Sequence, residues 1–452
     1  MSTPGRSLLV RGGTVVNGRG SQRLDFLVES GRIAAIGTDL PRADQIVEAA
    51  GLIVMPGGVD THVHLMDPGD TTREDFPSGT AAAAARGVTT IIEHTHGHPI
   101  RTADDLIAKR SHLSGRSNVD YALAAHAWPG YAEGLAELWS SGIAFFKIFT
   151  CTTHGVPALE GETLTTALGA MAAAGAPALI HCEDETITLE AERALRESGR
   201  TDNGILSEWR SREAELAAIA ATASLVETTG VSATIAHVSS EAAASVVADA
   251  QRRGAALAAE TCPQYLTLRE DEVLTEGALR KFTPPARIRN DGEEATMWDL
   301  LRDGVFSHIS TDHAPSTLAQ KSEGSIWDVH FGLPGLDTTF PFLIDAAVSG
   351  RIGFEDVARL YSEHPADRYG LADRKGRIRV AADADFVLVD PAAEWVVFDT
   401  DVISKAGWSP YSGRTFRGGV VATYLRGAEI AAGGTPHRQL TGEFLTAGGV
   451  GQ

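Results

Sequence analysis

The chain has 452 residues, and 39 Lys plus Arg against 59 Asp plus Glu leave a net charge of −20, which excludes the phosphate-neutralising surface of a nucleic-acid binder and an affinity for anionic lipid. No apolar run approaches the roughly 20 residues that span a bilayer, and the opening Met-Ser-Thr-Pro-Gly-Arg lacks the apolar segment of a signal peptide, so a cytoplasmic protein is expected. Three scattered cysteines, Cys151, Cys182 and Cys262, are too few for a disulfide framework and read as buried small hydrophobes.

Residues 7–53 carry short β-type runs such as SLLVRGGTVV and DFLVESGRIAAIG, separated by Gly, Asn and Asp turn signals, which predict a small sheet. From residue 53 the texture becomes an alternation of strand and helix. Strands are expected over 53–65, 87–95, 119–127, 143–150, 178–184, 233–240, 255–266 and 305–315. Between them lie Ala-, Leu- and Glu-rich stretches, among them SGTAAAAARG, GETLTTALGAMAAAG and SEAAASVVADAQRRG, often closed by Gly. Nearly continuous apolar strands suit a parallel sheet buried on both faces, and eight such units predict a (β/α)8 TIM barrel. After a last helical region at 354–371, β runs return in ADADFVLVD, EWVVF and GGVVATYLRGAEI. The expected organisation is a barrel over 54–377, with 1–53 and 378–452 folding together as one discontinuous β-sandwich and a tail.

A barrel of this kind carries its active site at the C-terminal ends of its strands, and there the chain keeps placing metal-ligand residues. In MPGGVDTHVHLMD, His62 and His64 stand two apart on one strand face, where both imidazoles can reach one ion. Lys147, His181, His237 and Asp312 close strands 4, 5, 6 and 8. Any one of the histidines is a core residue as readily as a ligand, but six such residues on one rim predict a metal site. Lys147 lies among Phe145, Phe146, Ile148 and Phe149, where an ammonium is costly to desolvate and the neutral amine is favoured. A neutral amine can add carbon dioxide, and the carbamate is a two-oxygen anion able to bridge two metals; the plainer reading is a lysine paired with Asp312 or Glu183. His94, His96 and His98 in EHTHGHP are expected to line or rim the mouth, and Trp128, Trp327 and Phe331 to wall the pocket or simply pack.

The motifs HVHL, FKIF, IHCED, AHVSS, ETCPQYL and TDHAP, in this order, resemble those of the cyclic amidohydrolases of the amidohydrolase superfamily, the dihydroorotases, dihydropyrimidinases (hydantoinases) and allantoinases. The resemblance covers nearly the whole chain. It implies two divalent metal ions, zinc by ligand type, one held by His62, His64, carbamylated Lys147 and Asp312, the other by Lys147, His181 and His237. It implies hydrolysis by a hydroxide between the ions, with Asp312 moving the proton. It also implies a homo-oligomer, dimer or tetramer, with a small cyclic ureide or imide as its partner.

Departures narrow the group. Dihydroorotases place an arginine after the HxHL motif, where this chain has Met66, and dihydropyrimidinases place a tyrosine where it has Thr152. KIFTCTTHG, TPPARIRN and SPYSGRT resemble allantoinase segments, while CPQYL and GLPGL lean to the hydantoinases. The expectation is an allantoinase-like hydrolase, with a hydantoinase as the alternative and Thr152, Thr283 and Phe331 as substrate contacts. Two other classes are a non-enzymatic scaffold, which would not need all six ligands, and a mononuclear deaminase, which would not need Lys147.

Overall fold

The computed structural model describes residues 7–437 and 439–447. Eight strands form the expected barrel: Gly58–Val63, Val88–Glu93, Asp120–Leu123 continued by Ala125–His126, Phe146–Phe149, Ala178–His181, Ala233–Ile235, Leu257–Thr261 and His308–Ile309. Neighbours pair in parallel around the ring. The last strand meets the first through His64 N–H to His313 C=O (2.8 Å) and His313 N–H to His62 C=O (3.2 Å), which closes the barrel and brings Asp312 against His62 and His64.

The helices start and stop where local chemistry dictates. Ser240 caps Glu241–Arg252 by accepting from the Ala243 N–H, and Gly230 ends Arg212–Thr229 in the left-handed region at φ 72°, where a glycine has no Cβ penalty. Two helices, Ile205–Trp209 and Arg212–Thr229, are separated because Ser211 is extended and caps the second. Among the described residues no helix is long and apolar enough to cross a membrane.

The strand expected over 53–65 also divides. Ile53–Pro56 joins a seven-stranded sheet between Phe386–Val396 and Thr14–Asn17, whereas Gly58–Val63 opens the barrel. The break falls at Gly57, whose Cβ, if present, would lie 2.2 Å from the Thr89 hydroxyl. A four-stranded sheet of Arg32–Gly37, Asp25–Glu29, Leu8–Arg11 and Gln45–Glu48 faces the larger sheet. Their shared core includes Phe26, Val54, Phe386 and Tyr424, with the Phe386 and Tyr424 rings stacked at 4.3 Å. Chain segments from both ends thus build one sandwich beside the barrel.

Candidate metal centre

Each expected ligand comes from a strand end, though not always the last residue of the ladder. His62 lies within the first strand and His64 just after it, Lys147 is inside the fourth, His181 ends the fifth, and His237 and Asp312 follow the sixth and eighth. His237 at φ 38° and Asp312 at φ 50° hold strained left-handed backbone, a conformation that persists where the surroundings over-determine it and that clusters at functional sites.

All six converge on one buried cavity, lined also by His96, Phe149, His154, Thr283, Ala314, Phe331 and Gly332. His62 Nε2 is 3.3 Å from both Lys147 Nζ and Asp312 Oδ1, and His64 Nε2 is 3.4 Å from the same carboxylate oxygen. The opposite nitrogens are held: His62 Nδ1 meets Glu260 at 2.8 Å, and His64 Nδ1 meets the His94 carbonyl at 2.8 Å. On the other side, His181 Nδ1 and His237 Nε2 lie 3.0 Å apart, and Glu183 holds His181 Nε2 at 2.7 Å. An imidazole fixed through its outer nitrogen and presenting the inner one is the arrangement that orients metal ligands, so the donor set fits divalent ions. The free space is about 20 Å3, room for about one water.

Electrostatics follow from burial. Desolvation pushes the Lys147 ammonium down to about 8 and drives His237 well below its usual range, with His181 and Lys147 adding to the effect. Burial would raise the Glu183 carboxyl, but Arg210, His181 and Thr283 override it and hold it at about 2. In the same way His62 and His308 outweigh burial and keep Glu260 well below the carboxylate range. The alternative pairing of Lys147 with Glu183 is not what forms, because Glu183 is committed to His181, Thr283 and Arg210. The three cysteines are buried thiols, as expected, and burial pushes Cys182 up to about 12.

The substrate-contact expectations divide. Thr283 and Phe331 line the cavity. Thr152 is exposed and stands outside it, its N–H and hydroxyl both donated to Glu185 at 2.5 and 2.6 Å. His154, two residues on, lines the cavity instead, with its ring stacked on His96 at 4.7 Å and edge-on to Phe331 at 5.9 Å. Trp128 packs under Arg101 and Trp327 against Trp209 and Arg196, and neither lines the cavity. The EHTHGHP histidines part company: His94 is wholly buried, His96 lines the cavity and His98 is exposed. Sequence reasoning missed Glu260, His126 and His154. For Glu260 a signal existed, a lone carboxylate ending the apolar run LAAE.

Comparison with known proteins agrees with this geometry. Residues 53–429 match the model of the amidohydrolase family. The chain is 37% identical over 445 residues to an allantoinase of Rubrobacter xylanophilus, covering 97% of each, and 31% identical to an allantoinase of Escherichia coli K12, covering 94% of each. The fold superposes on the L-hydantoinase (dihydropyrimidinase) of Arthrobacter aurescens with a TM-score of 0.93 at 28% identity, over 98% of this chain and 100% of that one. With the matched span running from the sandwich strand at Ile53 through every barrel strand, the chain belongs to the amidohydrolase family.

Proposed function

We propose that the protein is a metal-dependent cyclic amidohydrolase that opens allantoin to allantoate. The observation carrying the substrate is the cavity lining, which holds no guanidinium among the described residues and whose one ammonium is Lys147. Met66, at the position where dihydroorotases place an arginine, is buried with its N–H bonded to Thr95 and is not among the lining residues. A carboxylated ring would leave its charge unpaired there, at a cost of several kcal/mol, so an uncharged ureide is favoured. The allantoinase names of the full-length relatives support the same reading.

His62, His64, Lys147 and Asp312 would hold one divalent ion and Lys147, His181 and His237 the other, zinc by the predominance of imidazole donors. Bound there, two ions acidify a water and polarise the ring carbonyl. Lys147 Nζ adds carbon dioxide: a C–N bond forms, a proton leaves, and the carbamate supplies two oxygens that share one negative charge. Asp312 accepts the proton of the attacking water and passes it to the departing ring nitrogen. Main-chain groups at Thr283 and Phe331 orient the ring amide.

A hydantoinase is the second reading, favoured by the likeness to the Arthrobacter structure. Steady-state rates at equal enzyme and metal loading on allantoin, hydantoins, dihydrouracil and dihydroorotate decide between them. Allantoin is expected to give the highest kcat/KM, and dihydroorotate exceeding both allantoin and the hydantoins would refute the argument from the lining.

A further inference from the structure

Two lysines outside the ligand set, Lys281 and Lys321, are buried at 1% and 3% exposure. Among the described residues their ammonium groups hydrogen-bond to main-chain carbonyls and to no carboxylate. Burial pushes Lys281 down to about 8 and Lys321 well below the ordinary lysine range. A buried cation without a carboxylate is costly, so neither stands where stability alone would put a lysine. Their acceptors lie in two short stretches. Lys281 Nζ donates to the carbonyls of Val329 at 2.5 Å and Trp327 at 3.4 Å, and Lys321 Nζ to those of His330 at 2.8 Å and Lys281 at 3.1 Å. The Gly332 N–H adds a third tie, to the Lys281 carbonyl at 3.0 Å. The stretches joined in this way carry Thr283 and Phe331, which line the cavity. The Phe331 ring centroid is 4.4 Å from Lys281 Nζ. The next residue, Gly332, passes Ala314 so closely that a Cβ there would lie 2.1 Å from the Ala314 carbonyl oxygen. The main chain at Phe331 is thus pinned from the Lys281 side and from the stretch that bears Asp312.

We propose that Lys281 and Lys321 are positioning residues that fix the main chain at Phe331 relative to that at Thr283, and so set the gap in which a ring amide is held. This inference rests on the hydrolysis proposed above, in which those main-chain groups orient the ring. Neither lysine lines the cavity; each acts through the carbonyls it holds. Because the –CO–NH– unit is common to cyclic ureides and imides, the two lysines serve every such ring alike, and choice among substituents falls to other side chains.

The test is the split between KM and kcat in Lys281→Met and Lys321→Met, which keep an unbranched side chain and remove the donors, with metal content and Tm measured alongside. Misplacing a positioning group by about 1 Å costs on the order of 10²-fold. Each variant is therefore expected to keep the parent's metal content and to raise KM at least tenfold, by the same factor for allantoin and for a hydantoin. A lysine that only supports the fold would instead lower the fraction of active protein, and with it the apparent kcat, while leaving KM as it was. An unchanged KM in the folded variants overturns the proposal, as does a KM that rises for one ring and not for the other. If Lys281→Met does not fold, Lys321→Met decides alone, since Lys281 still holds its own two carbonyls there. A parent that opens no ring of the series overturns the proposed hydrolysis and the positioning role with it, whereas an active parent whose variants keep its KM overturns the positioning role alone.

Discussion

Lys147 concentrates the residue-scale argument, because its Nζ is buried beside His62 with no carboxylate among the described residues in hydrogen-bond contact. Lys147→Ala should remove metal and activity together, and a short carboxylic acid added with metal should restore part of the turnover; metal analysis alongside rate measurements checks both. For Asp312→Asn the expectation is a folded protein that keeps at least one ion and loses about 10²–10⁴-fold in kcat, the usual worth of a positioned acid/base. A kcat within about threefold of the parent would remove Asp312 from that role. The convergence of these six positions was legible because each lies at or just past the end of an apolar strand, and a barrel gathers those ends on one rim. Thr152 was misread for the opposite reason: a loop does not alternate, so nothing in CTTHG says which residue turns inward. The backbone decides it, with His154 at φ 54° turning its ring over the cavity while Thr152 faces Glu185. His126 left no mark, since one histidine in an apolar strand looks the same whether it packs or ligates.

At the scale of elements, periodicity located the eight strands, but their hydrogen-bonded lengths are shorter than the apolar runs. The run at 305–315 ladders only over His308–Ile309, and its remainder turns inward to place Asp312 and His313. Apolar content reports burial, and here it continues past the ladder because the loops at this face are buried too. The split at Gly57 was illegible for a related reason, since Ile53–Pro56 and Gly58–Val63 are both apolar and only the close approach to Thr89 shows where the chain changes sheets. Gly57→Val would force a side chain into space the Thr89 side chain fills. Overpacking of this kind typically costs about 1–3 kcal/mol, so urea denaturation should show a lowered midpoint with an unchanged slope. An unchanged midpoint would mean that the turn has slack that the contact distances do not reveal.

At the scale of the whole molecule, the joint between sandwich and barrel holds a buried charge cluster away from the candidate metal centre. Lys375, 0% exposed in its side chain, pairs with Asp383 at 2.9 Å and Asp385 at 2.7 Å from the C-terminal segment, and also with Asp120 of the third barrel strand. Arg426 reaches Asp120 as well. Burial alone would lower the Lys375 pKa, but Asp385, Asp120 and Asp383 outweigh it and raise the value above its ordinary level. A raised folded-state pKa means that the stabilisation is complete below the unfolded lysine value of about 10.4 and declines as pH climbs from there through the folded one. The parent should therefore hold its Tm up to about pH 10 and lose it steeply above, with this contribution absent from Lys375→Met. That variant leaves three buried carboxylates with Arg426 on Asp120 and Arg374 on Asp383 as close cations, and breaking a buried pair in this way typically costs about 3–5 kcal/mol. Burial already raises the Asp385 carboxyl and Lys375 is what opposes it, so without Lys375 that group binds its proton more tightly folded than unfolded, and the deficit should shrink as pH falls from 8 to 5. Calorimetric Tm values for both proteins across that range supply the measurement, and a deficit that stays constant or grows on acidification would show that Lys375 is not what neutralises the joint.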